Sequence, residues 1–85
     1  MNDQNHELTE MQRMELAAAH EFVLDNEDKP EDWESHIDEA HLHTLRQEIM
    51  HWDFDELARY CQALDVWEDP TKTKAVLDVI ESKIA

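Results

Sequence analysis

The sequence predicts an all-α protein, a small single-domain bundle of four main helices plus one short acidic helix. Apolar residues recur at spacings of three and four, the period of a helix with one buried face, and no stretch alternates with the period of two that strands show. The 85 residues contain no glycine and only two prolines. Both prolines stand where a helix can begin. A chain of this length forms one domain, so we expect residues 1–85 to fold together, with residues 1–8 frayed.

The first helix is predicted to run from a cap at Thr9 to about Asp25. Thr9 and Gln12 have the spacing of a capping box, in which each side chain bonds the other residue's backbone N–H. The expected main apolar stripe of this helix consists of Met11, Met14, Ala18 and Phe22. A second stripe beside it consists of Leu16, Ala19 and Val23. An apolar arc this wide predicts a helix that is covered on more than one side.

The next predicted element is a short acidic helix over about residues 30–37. Pro30 suits a first helical position, and the two acids that follow it complement the helix dipole. A break is expected near Asp38, because the step from Ile37 to Leu42 rotates the apolar direction by roughly 100° or more. The second main helix is then predicted over about residues 39–51.

A sharp corner is predicted around Asp53. Asp53 and Glu56 form the acidic version of a capping pair, and Trp52 and Leu57 stand where an apolar staple fixes the chain's entry angle. The third helix should therefore begin at Phe54, with almost no linker, and run to about residue 66.

The last helix is predicted to begin at Asp69 and Pro70, which repeat the pattern of a cap followed by proline. Its apolar face carries Val76, Leu77, Ile80 and Ile84. The stripes together predict a core that consists of Phe22, Leu45, Ile49, Leu57, Cys61, Leu64, Val76 and Ile80.

The charge is the most unusual property of the sequence. Twenty-two acids against seven lysines and arginines give a formal net charge of −15. Residues 70–85 hold three lysines and two acids, so the first sixty-nine residues carry −16. This field disfavours direct binding to nucleic acid or to an anionic membrane, and we expect neither as a partner.

The acids are densest between residues 25 and 39, where eight of them accompany one base, Lys29. Trp33 lies in their middle and is either an interface anchor or a residue that pins the short helix to the core. The candidate partner-binding residues are Glu27, Asp28, Glu31, Asp32, Trp33, Glu34, Asp38 and Glu39. The alternative is that these acids only keep the protein soluble.

No catalytic, cofactor or metal site is predicted. Two carboxylate-x-x-histidine pairs, Asp38 with His41 and Glu48 with His51, resemble the ligand pattern of di-iron bundles. Both lie on one helix, about 80° apart around its axis, so they cannot face each other. The absence of glycine excludes a phosphate cradle. Cys61 is the only cysteine, so no internal disulfide can form. We expect a reducing, cytoplasmic location, and no apolar run is long enough to span a bilayer.

These observations favour a non-enzymatic acidic protein that binds a protein with a basic surface. The more specific hypothesis is a DNA mimic that inhibits a nucleic-acid-binding protein by occupying its nucleic-acid site. The alternative is a helical adaptor or regulatory protein that pairs through an apolar helix face, including as a homodimer. A metal-dependent enzyme is the third hypothesis. A mimic needs a continuous acidic face, an adaptor an exposed apolar stripe, and an enzyme inward-facing acids or histidines around a pocket.

Overall fold

The computed structural model describes residues 8–85, which form helices and no strand, so the all-α prediction is confirmed. The four α-helices are α1 (Glu10–Leu24), α2 (Glu39–Ile49), α3 (Phe54–Cys61) and α4 (Pro70–Ile84). Two 3-10 helices, Trp33–His36 and Val66–Glu68, lie in the connections. The expected fraying of residues 1–7 concerns a segment outside the described residues, and Leu8 packs half-buried against the core.

The predicted starts of the four main helices are confirmed, and each has a side-chain cap. In α1 the Gln12 N–H donates to Thr9 Oγ1 at 3.0 Å, and the Thr9 N–H donates to Gln12 Oε1 at 3.1 Å. In α3 Asp53 and Glu56 exchange the same two bonds at 2.9 and 3.1 Å. Side chains that accept hydrogen bonds from these otherwise unpaired backbone N–H groups stabilise each helix start by ~1 kcal/mol.

Helix α4 is the centre of the fold. Helix α2 packs against it, and α1 packs against both α3 and α4. Seven of its residues are buried: Thr71, Thr73, Ala75, Val76, Leu77, Val79 and Ile80. The other buried apolar residues are Leu16, Val23, Leu42, Leu45, Ile49, Leu57, Cys61, Val66 and Trp67.

The third helix ends earlier than predicted. It stops at Cys61, and the chain turns before the second 3-10 helix. Nine residues separate Leu57 from Val66, so a continuous α-helix would point Val66 about 180° away from Leu57. The turn instead buries Val66 and Trp67 in the core. It also leaves Leu64 93% exposed, so its placement in the core was wrong.

The predicted helix over residues 30–37 differs in extent and type from what the structure contains. Residues 31 and 32 form a turn, and only Trp33–His36 are helical, as a single 3-10 helix. Repulsion among closely spaced carboxylates disfavours a longer regular helix here. The break at Asp38 is confirmed: its side chain caps α2 by accepting the His41 backbone N–H at 3.1 Å. The backbone N–H of Asp38 donates to Thr71 on α4, at 3.1 Å.

The apolar stripes of α1 are arranged opposite to the prediction. Leu16 and Val23 of the expected second stripe are buried, whereas the expected main stripe lies outside. Phe22 is 58% exposed, so its assignment to the core was wrong. The reason is that α1 contacts its neighbours, α3 and α4, along one side, and a helix can turn only one face toward them.

Candidate functional site

The eight carboxylates of residues 25–39, which we call the acidic segment, are all exposed. They are distributed over the end of α1, the loop after it, the first 3-10 helix and the start of α2. Within residues 8–85, the only ion pair of this segment joins Asp32 to His36, at 3.2 Å. The structure therefore places the predicted acidic residues in solvent, along one continuous stretch of chain.

Most of these acids have no polar partner within the protein. Asp38 is engaged as the cap of α2, and Asp32 is engaged with His36. Across the described part of the chain, the remaining candidate carboxylates form no ion pair or side-chain hydrogen bond; these are Glu27, Asp28, Glu31, Glu34 and Glu39.

Three of the seven lysine and arginine side chains are engaged outside the acidic segment. Asp78 binds Arg46 at 2.6 Å and Lys74 at 2.8 Å, which ties α2 to α4. The ammonium of Lys72 lies 5.6 Å from the ring centroid of Trp52 and 5.5 Å from that of Tyr60, within the range of a cation–π contact. Within the acidic segment eight acids stand against one lysine, Lys29, so it keeps a large negative excess.

Trp33 holds the acidic segment against the core. It is half-buried, and its ring centroid lies 5.7 Å from that of the buried Trp67, with the planes tilted by 55°. Trp67 in turn donates its indole N–H to the Val23 carbonyl at 2.9 Å. An interface anchor would have a free ring, so this contact favours the hypothesis that Trp33 pins the segment.

A second candidate surface lies on α1, where the sequence predicted core. Met11, Met14 and Phe22 are 70%, 67% and 58% exposed, and Ala18 is exposed between them. We call these four residues the outer stripe. The signal that could have revealed it was the presence of two apolar stripes on one helix of a small protein, since only one of them can face the bundle.

The four histidines between residues 36 and 51 lie on the surface. His36, His41, His43 and His51 are all exposed. His41 meets Asp38 through its backbone N–H and not through its ring. Among residues 8–85 no three histidine, cysteine or acidic side chains are grouped so as to hold a metal ion.

A buried thiol and a surface depression in the described range bear on catalysis. Burial raises the pKa of the Cys61 thiol to about 11, which keeps it protonated and unreactive near neutral pH. A depression of about 240 Å³ lies between α2 and α4, and ligand pockets are typically ~300–1,000 Å³. Arg46 and Asp78, which face this depression, are already paired with each other.

Comparisons of the chain with protein-family models, with curated proteins and with solved structures found no match. Within residues 8–85, no helix combines the length and the apolar character that crossing a bilayer requires.

Proposed function

We propose that this protein is a non-enzymatic binding protein that engages a partner with a basic surface. The observation that supports the proposal is the set of exposed carboxylates in the acidic segment, of which five of the candidates form no ion pair within residues 8–85. Exposed like charges that lie close together repel one another and disfavour the compact state. A partner that brings lysine or arginine side chains would remove this repulsion and gain attraction of its own.

The more specific proposal is that the partner is a nucleic-acid-binding protein, whose DNA site this chain occupies. Residues 8–85 contain all seven cations and twenty of the acids, a net of −13, and the longest dimension is 44 Å. One net charge per ~3 Å is of the same order as the charge per ~1.7 Å of duplex DNA. We also propose a cytosolic location, which the single free cysteine supports.

The experiment compares two variants of equal net charge. The segment triple is Glu31→Gln, Asp32→Asn and Glu34→Gln. The control triple is Glu48→Gln, Asp55→Asn and Glu56→Gln, which neutralises exposed acids at the corner of α2 and α3. The Gln at position 56 can keep the capping box.

Wild type and both triples are immobilised and exposed to host lysate at low and high salt. The proposal predicts a partner that wild type and the control triple retain, that the segment triple releases, and that high salt elutes. If both triples lose the partner to the same extent, only the total charge matters. For the specific proposal, the captured protein should bind duplex DNA less well as this protein is added; unchanged DNA binding would refute mimicry.

The second candidate function is that of a helical adaptor, and the outer stripe of α1 favours it. Isolated apolar side chains on a surface are normal, but several aligned on one helix face mark an interaction site. A homodimer through this face is disfavoured, because it would bring together two molecules that each carry −15.

A further inference from the structure

The outer stripe forms a narrow line on the side of α1 that is directed away from the core. At 100° per residue its four side chains fall within about 80° of arc, opposite the buried Leu16 and Val23. From Met11 to Phe22 the stripe is about 17 Å long, or three helical turns. Ala18 lies between the larger Met14 and Phe22, so a second helix could approach α1 closely at this point. Methionine side chains adapt to varied apolar partners.

Glutamates border the stripe on both sides. Glu15 lies beside Phe22 on the helical wheel, and Glu10 and Glu21 lie beside Met14 on the other flank. All three are exposed, and none pairs with a cation of residues 8–85. Arg13, the only arginine of α1, is directed elsewhere: its guanidinium lies 3.5 Å from the Ile84 and Ala85 carbonyls at the end of α4. The border is therefore purely acidic.

The negative charge of the bordering glutamates determines which kind of partner is complementary to the outer stripe. A second copy would place one acidic border against another, and an anionic membrane would be repelled in the same way. The surface is complementary to an apolar stripe of equal length with cationic borders.

We propose that the outer stripe is the docking surface for an amphipathic helix of a partner protein, whose apolar face is flanked by lysine or arginine residues. The inference rests on the proposed function in one respect, namely the basic character of the partner. It adds a location, α1, that is separate from the acidic segment. The mode is the packing of an apolar helix face onto a complementary surface, with anchors spaced by three and four residues.

The test uses a defined probe, a labelled peptide of about 18 residues, long enough to form a helix. Its leucines occupy one helix face, with lysines on both flanks. One control peptide has glutamate in place of lysine, and another has the same leucines and lysines in scrambled order. Fluorescence anisotropy gives the Kd of each for the full-length protein. The patterned basic peptide should bind at least about tenfold more tightly than either control.

Three protein variants locate the binding site. Met14→Gln with Phe22→Gln removes apolar surface from exposed positions, so circular dichroism should show an intact fold. This variant should weaken binding of the patterned peptide by about tenfold or more. Glu10→Gln, Glu15→Gln and Glu21→Gln together should slow association and reduce its salt dependence. The control triple described above should bind the peptide nearly as wild type does.

The outcomes separate this inference from the proposed function. If the scrambled basic peptide binds as tightly as the patterned one and the Met14/Phe22 variant is unimpaired, the docking surface is refuted while a basic partner remains. If the glutamate peptide binds as well as the lysine peptide, the basic partner is refuted. Sedimentation that shows a dimer which the Met14/Phe22 variant dissociates would assign the stripe to a second copy and overturn the inference.

Discussion

Replacing Thr73 with valine tests how the centre of the fold is held together. Thr73 is fully buried on α4, and its hydroxyl donates to the Val66 carbonyl of the second 3-10 helix. The same oxygen lies 3.0 Å from the Asp69 carbonyl and 3.2 Å from the Tyr60 hydroxyl on α3. Valine has nearly the shape of threonine, so the substitution removes these polar contacts and leaves little cavity.

The expected loss of stability depends on whether each hydrogen-bond partner of the Thr73 hydroxyl keeps another partner in the variant. The Asp69 carbonyl keeps the backbone N–H of Thr73 at 3.0 Å, and the half-buried Tyr60 can reach water. The Val66 carbonyl loses its side-chain donor in the interior, which costs ~1–3 kcal/mol. A domain of this size has a total stability of ~4–13 kcal/mol. At ~4–8 °C per kcal/mol, the melting temperature should fall by roughly 5–20 °C.

Two assays check this result. Thermal and urea unfolding followed by circular dichroism should show the loss of stability, with Thr44→Val as the exposed control on α2. Burial raises the pKa of Tyr60, and the hydrogen bond with Thr73 opposes that rise. Thr73→Val should therefore raise the pKa of Tyr60 further. Tyr60 is the only tyrosine, so ultraviolet titration reports it alone. Stability equal to that of Thr44→Val, with an unchanged Tyr60 titration, would refute this account of the centre.

Three further predictions concern stability. Leu57→Ala, at a fully buried site, should cost ~2–5 kcal/mol in urea unfolding, whereas Leu64→Ala, 93% exposed, should cost almost nothing; similar costs would contradict the observed end of α3. Asp53→Ala should cost ~1 kcal/mol, clearly more than Gln62→Ala; equal melting curves would contradict the cap. Burial raises the pKa of Cys61 from 9.0 to about 11, so the folded protein keeps the thiol proton at pH values where the unfolded chain has lost it. The stability that this difference contributes is full below pH 9 and is lost between pH 9 and 11. Under reducing conditions Cys61→Ala should lessen this alkaline loss, and an identical pH profile would refute the assignment.

The helix starts could be predicted from the sequence because their causes are local. A capping box involves residues three apart, so the pairs at Thr9 and Asp53 indicate the start of a helix without knowledge of its neighbours. The break at Asp38 was predicted from a different local signal, the change of apolar direction between Ile37 and Leu42. The end of α3 was not, because it depends on the burial of Val66 and Trp67 against other helices.

The orientation of α1 shows the limit of periodicity. Both of its stripes have helical spacing, and only the positions of α3 and α4 decide that Val23 faces inward and Phe22 outward. The candidate site likewise has one feature that the sequence predicts and one that it does not. Exposure of the acidic segment follows from its charge, whereas the packing of Trp33 on Trp67 joins residues thirty-four positions apart and has no local signal.

The central place of α4 has a consequence for biosynthesis. It is the last of the four helices to leave the ribosome, and at ~5–20 residues per second its final residue follows Cys61 by roughly 1–5 s. Until then α1 and α2 lack the helix against which they pack. The nascent chain meanwhile carries −16 on its first sixty-nine residues, and this repulsion opposes association with other unfinished chains. Helix α4 then supplies the missing apolar surface, and its three lysines against two acids change the net charge from −16 to −15.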